Sequence, residues 1–97
     1  MLGESITKTP AGLVRAYVSL NGNTIKSVLI TGDFFSGNLV VNDIEAALKW
    51  GRSDQESIMR TITAAMSSSG TSIQGIDAKS LAKMIHTAVE NARNRVE

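Results

Sequence analysis

The sequence predicts an α+β domain: a two- or three-stranded antiparallel sheet, built on an N-terminal hairpin, followed by about three helices packed on one face. Three observations carry this. Residues 13–20 alternate apolar and polar with period two. Asn21-Gly22-Asn23 then marks a reversal, because Asn and Gly tolerate positive φ. From Asn42 onward the apolar residues recur every three or four positions, the helical period. Strands come first and helices second, without alternation, so the sheet is expected to be antiparallel.

The elements follow in order. Val14, Ala16, Val18 and Leu20 share one strand face, and Arg15, Tyr17 and Ser19 lie on the other. Thr24 to Phe35 reads as the second strand of the hairpin, rich in β-branched Ile25, Val28, Ile30 and Thr31. Ahead of the hairpin, Ser5-Ile6-Thr7-Lys8 reads as a short extra strand. Thr9-Pro10-Ala11-Gly12 is its turn, with Pro10 pre-setting φ and Gly12 as the turn glycine.

Asn42 is expected to cap the first helix, with Glu45 reaching back in a capping-box arrangement. Ile44, Ala47 and Leu48 would share its buried face, and Gly51 would end it in the left-handed conformation. Ser53 and Glu56 repeat the capping-box spacing for a second helix, with Ile58, Ile62, Ala65 and Met66 apolar and Ser67-Ser68-Ser69-Gly70 as its end. Asp77 is a plausible cap for the third. There Leu81, Met84, Ile85, Ala88, Val89 and Ala92 give the clearest period in the chain. Arg93 and Arg95 stand near its C-terminus, where positive charge opposes the helix dipole.

Composition excludes much chemistry. The 97 residues suffice for one domain, 1–97, and not two. Ten basic against nine acidic side chains, net +1, make no electrostatic case for nucleic acid or an acidic membrane. With no cysteine there is no disulfide, thiol catalysis or thiolate metal site. A single histidine removes multi-His metal sites and disfavours a histidine-based triad. His86 reads as a solvated surface residue, and Met59, Met66 and Met84 as core fillers. No apolar run approaches the ~18 residues that span a bilayer, and the start does not read as a signal peptide, so a cytoplasmic location is expected. Phosphate-loop, dinucleotide, zinc-protease and EF-hand motifs are all missing.

One segment resists a packing explanation. Gly32-Asp33-Phe34-Phe35-Ser36-Gly37 places both phenylalanines together at a strand end. In a regular strand they would point to opposite faces. Either one caps the core while Asp33 satisfies loop amides, or one meets a second protein surface. Lys8 and Arg15 flank the Pro-Ala-Gly turn and read by base rate as solvated charges.

In combination these pieces resemble a known family. Lys8-Thr9-Pro10-Ala11-Gly12-Leu13-Val14-Arg15, then Gly32-Asp33-Phe34-Phe35, then Ile44-Glu45-Ala46-Ala47-Leu48-Lys49 look like the C-terminal accessory domain of lipoate–protein ligases. The likeness runs over nearly the whole chain. One departure is Trp50, which lengthens the helix end before Gly51; another is that the catalytic domain is missing from this chain. The resemblance implies the separate small subunit of a two-chain, archaeal-type ligase. Such a subunit carries no catalytic residues. It pairs as a heterodimer with the catalytic subunit, is required for lipoate adenylation, and so serves lipoylation of lipoyl-domain acceptor proteins. Lipoate and ATP, with magnesium, would be bound through the partner and not by this chain alone. The residues matching the family pattern, Lys8, Gly12, Arg15, Asp33, Phe34 and Phe35, are the expected partner-binding set, with a phenylalanine as anchor and a basic residue giving polar register.

Composition alone leaves a second reading open: a stand-alone interaction or regulatory module unrelated to lipoate. A small enzyme is the third, and no nucleophile–base pair, metal cluster or phosphate loop speaks for it.

Overall fold

The computed structural model describes residues 2–9, 12–32, 39–69 and 77–94. Three strands, β1 (Leu2–Thr9), β2 (Gly12–Asn21) and β3 (Thr24–Thr31), precede three helices, α1 (Leu39–Leu48), α2 (Gln55–Ser69) and α3 (Ala78–Asn94). The sheet order is β1-β2-β3 with both pairings antiparallel. The expected α+β class is therefore what the chain forms. The first strand is longer than the Ser5–Lys8 segment expected. β3 closes at Thr31, short of the expected Phe35; Asp33, Phe34 and Phe35 lie outside the described residues, as do Pro10, Ala11 and Arg95.

The reversal after β2 is a two-residue turn of Gly22-Asn23, with Gly22 at φ 63°. A left-handed glycine in the first central position matches a type II′ turn, whose twist suits the strands. Val14, Ala16, Val18 and Leu20 all face the core, as their alternation requires. In β3 the buried residues are Ile25, Val28 and Ile30. Ile25 and Val28 are three apart, so a regular strand would turn one of them to solvent. The pairing shifts between Ser19 and Leu20: Ser19 opposes Ser27, but Leu20 opposes Ile25. Lys26 is the extra residue of a β-bulge, and it restores Ile25 to the core side.

The inner sheet face carries α3 across β1 and β2 and α1 beside β3, with α2 packed behind both helices. The α3 stripe Leu81, Met84, Ile85, Ala88, Val89 and Ala92 is buried throughout, joined by Ala82. Ile58 and Ile62 of α2 are fully buried, with Met59, Ala65 and Met66 packed at the margin. Close approach of α3 to β1 rests on small residues. A Cβ added at Gly3 would meet the Ala88 carbonyl and the Ala92 amide and sit 2.7 Å from the Ala92 Cβ. The buried Ser5 hydroxyl donates to the Met84 carbonyl at 2.7 Å, so it carries no unsatisfied polar group inward.

Helix ends depart from expectation in four places. α1 begins at Leu39, so Asn42 lies inside the helix and is no cap. Val41, Ile44 and Leu48 form its buried stripe and draw the helix start forward, while Ala47 is exposed. Glu45 does not reach back to Asn42; its carboxylate accepts the Ile30 amide at 2.7 Å, on β3. At α2 the cap is Asp54, which accepts the Ser57 amide at 3.0 Å. Ser53 is buried instead, its amide donating to the Asn23 carbonyl at 3.2 Å and its hydroxyl accepting from Arg93. Glu56 pairs with Arg60 one turn on, at 2.8 Å. The serines 67–69 continue the α2 helix and do not end it as a loop. Asp77 caps α3 as expected, taking the Ser80 amide at 2.7 Å. The hydrogen bonds from the Ser57 and Ser80 amides hold Asp54 and Asp77 below the ordinary carboxylate value.

The fourth departure is the left-handed residue after α1. Trp50 takes it, at φ 67°, and Gly51 does not. The cause is tertiary. The Trp50 amide donates to the Ile25 carbonyl at 2.6 Å and the Ile25 amide to the Gly51 carbonyl at 2.9 Å. Arg52 then bridges Thr24. Residues 50–53 thus cover the start of the β3 edge, and that pairing sets the reversal one residue early. For a residue with a Cβ this conformation costs roughly 1–2 kcal/mol.

Candidate docking face

Every second residue of each strand points away from the helices. On that outer face the register places Glu4 opposite Tyr17, which faces Leu29 in turn. The next row is Ile6, Arg15 and Thr31, and the next is Lys8 and Leu13. Ile6 is 52% exposed, Leu13 56% and Leu29 53%, and Tyr17 is half-buried. No described helix packs there. With Leu2, which pairs with Ser19 on the same face, four large apolar side chains flanked by two cations form a surface suited to a second protein.

The expected partner-binding residues fall on it in part. Lys8 and Arg15 are exposed and belong to adjacent rows, diagonal neighbours across the β1–β2 pair. Gly12 opens β2 at φ 134°, a backbone value that excludes a Cβ in practice, and its carbonyl accepts the Thr9 hydroxyl at 2.8 Å. Its part is to close the turn that brings Lys8 and Arg15 together. Thr31 pairs with Arg15, so β3 closes at the Arg15 row, and Asp33, Phe34 and Phe35 of the expected set lie outside the described residues. Sequence reading missed Ile6, Leu13 and Leu29. The available signal was apolar residues at strand positions that alternate with the core-facing ones: Ile6 after Ser5, Leu13 before Val14, Leu29 between Val28 and Ile30.

A second feature is a polar cleft of about 360 Å³ between the β2–β3 turn, the start of α2 and the end of α3. Its polar side chains find partners within the cleft. Arg52 lies 3.3 Å from Asp54, and Arg93 donates to Asn23 at 3.1 Å and to Ser53. His86 is half-buried, with Nδ1 3.0 Å from Glu90, where a solvated residue without a carboxylate partner was expected. The network ties α3 to the hairpin turn. Among the described residues no helix is long and apolar enough to cross a membrane.

Residues 4–85 match the family described as "Bacterial lipoate protein ligase C-terminus". No curated protein matches the chain. Among solved structures, the chain is similar to one from an archaeal lipoylation system, a bi-partite lipoate protein ligase and its E2 lipoyl domain from Thermoplasma acidophilum. The TM-score is 0.72 at 28% identity, and the likeness covers 88% of this chain and 94% of the other.

Proposed function

We propose a function from one premise: the chain belongs to the family of lipoate–protein ligase C-terminal domains, and its place is in protein lipoylation. The chain is an accessory subunit that docks on a separate ligase catalytic chain and is required for lipoate adenylation. The observation that carries this reading is the likeness to a chain of a bi-partite ligase, which spans nearly the full length of both. The chemistry belongs to the partner. Lipoate, ATP and its magnesium bind there, and the lipoyl-domain lysine is acylated there.

The contribution of this chain is differential binding. An accessory subunit that binds the ordered, adenylate-competent state of the catalytic chain more tightly shifts its population, and a few kcal/mol suffices to switch activity. Covering the site also keeps water from the reactive mixed anhydride. Docking uses the outer sheet face. Lys8 and Arg15 set polar register around Ile6, Leu13 and Leu29, and Phe34 or Phe35, beside Asp33, serves as anchor.

The test is ATP-dependent formation of lipoyl-adenylate by the catalytic chain, with and without this protein, followed separately by transfer to a lipoyl domain. Adenylate formation that depends on the added chain is expected. Equal adenylation without it overturns the requirement. Replacing Phe34 and Phe35 together by Ala should abolish stimulation while the chain stays folded; full stimulation removes them from the docking surface.

A further inference from the structure

Trp50 is the chain's single tryptophan, and its position is unfavourable in two ways. Its backbone is left-handed at φ 67°, the region where a Cβ crowds the following carbonyl. The residue is 60% exposed, so much of the ring lies open. The Lys49 ammonium lies 6.0 Å from the ring centroid, at the outer limit of a cation–π contact. Gly51, which would adopt the left-handed conformation without strain, is the next residue and does not adopt it.

Strain of this kind persists where the surroundings over-determine it, and it clusters at functional positions. The surroundings here are the hydrogen bonds from Trp50 to Ile25, Ile25 to Gly51 and Gly51 to Leu48. They hold the backbone on both sides of the residue, so only the side-chain torsions remain free. A large rigid aromatic presented in this way loses little entropy on docking. Tryptophan is also among the residue types that dominate interface energetics. Trp50 stands beside β3, the strand that carries Leu29 on the outer face.

We propose that Trp50 is an interface anchor that inserts into an apolar pocket on the ligase catalytic chain, at the hairpin end of the β3 edge. The inference rests on the docking function above. The occupant is the catalytic chain because the solved structure this fold resembles belongs to a bi-partite ligase, and Trp50 stands on the edge of the strand that carries Leu29, four residues along it at Ile25.

The experiment uses the full chain and the catalytic chain from the same source. First, binding of the wild-type chain is measured by titration. Then Trp50→Gly is compared for both stability and affinity. Glycine relieves the backbone, so Tm should hold or rise by a few degrees, while affinity falls about 30-fold or more. Trp50→Phe should recover much of the affinity. In parallel, 5-fluorotryptophan at this single site should shift its ¹⁹F resonance on saturation with the catalytic chain, which reads the contact even if a variant folds poorly. Wild-type binding with an unmoved resonance, or with Trp50→Gly within twofold of wild type, overturns the anchor and leaves the docking function standing. Absence of wild-type binding overturns both.

Discussion

The two faces of the sheet both carry large apolar side chains, which meet opposite fates. The inner face presents Val14, Ala16, Val18, Leu20, Ile25, Val28 and Ile30, all buried under α1 and α3. The outer face presents Ile6, Leu13 and Leu29, each about half exposed, between Glu4, Lys8 and Arg15. The inner face also carries what close packing demands: Gly3 where a helix backbone passes, Ser5 with its hydroxyl satisfied, Ala16 without bulk. The outer face shows no such accommodation to a described neighbour. The difference separates residues held for folding from residues that a partner can use.

Gly3→Val should break the comparison hardest. Its Cβ would collide with α3 backbone, which has no flexible end to move aside. A loss of more than about 3 kcal/mol is expected, seen as a collapse of Tm in thermal melting. Wild-type Tm would mean that α3 does not lie on β1 as described.

Ile85→Ala, at a fully buried site on α3, should cost about 2–5 kcal/mol by urea unfolding with an unchanged m-value. A cost near zero would place that side chain outside the core.

Acid sharpens the comparison through the caps of the helices on the inner side. Asp54 and Asp77 bind protons less readily when folded, because serine amides bond their charged forms. The unfolded chain therefore takes up protons first as pH falls. This stabilisation is complete above the ordinary value of 3.8 and lost as pH drops through the depressed folded values. Asp77→Asn retains a capping oxygen, so its Tm should fall less between pH 5 and pH 3 than that of wild type. An identical pH profile would remove Asp77 from the account.

Leu13→Ser combined with Leu29→Ser should have the smallest effect on stability, within about 1 kcal/mol for two half-exposed sites. Stimulation of the catalytic chain should nevertheless fall. A large loss of Tm would show that the outer face belongs to this chain's own core.

The α3 helix was fully legible in the sequence. Its stripe is long, it obeys one period, and Asp77 stands where a cap belongs. The starts of α1 and α2 were not legible, since Asn42 and Ser53 are good caps by type. Which candidate wins depended on Val41 reaching the core and on Ser53 being bound to Asn23 and Arg93. The candidate site divides in the same way. Lys8, Gly12 and Arg15 were visible through the turn and the family pattern, whereas Ile6, Leu13 and Leu29 acquire meaning only once the strands are paired.

By itself, then, the sequence determined the element types and their order, the β2 core face and the α3 stripe. These follow from period and local conformational preference, which neighbours in the chain decide. Tertiary structure alone decided the Lys26 bulge that keeps both Ile25 and Val28 inside, the use of Glu45 on β3, and the left-handed Trp50 in place of Gly51. Each satisfies a backbone group or buries a side chain against a segment distant in sequence. A local preference of about 1 kcal/mol yields to such contacts.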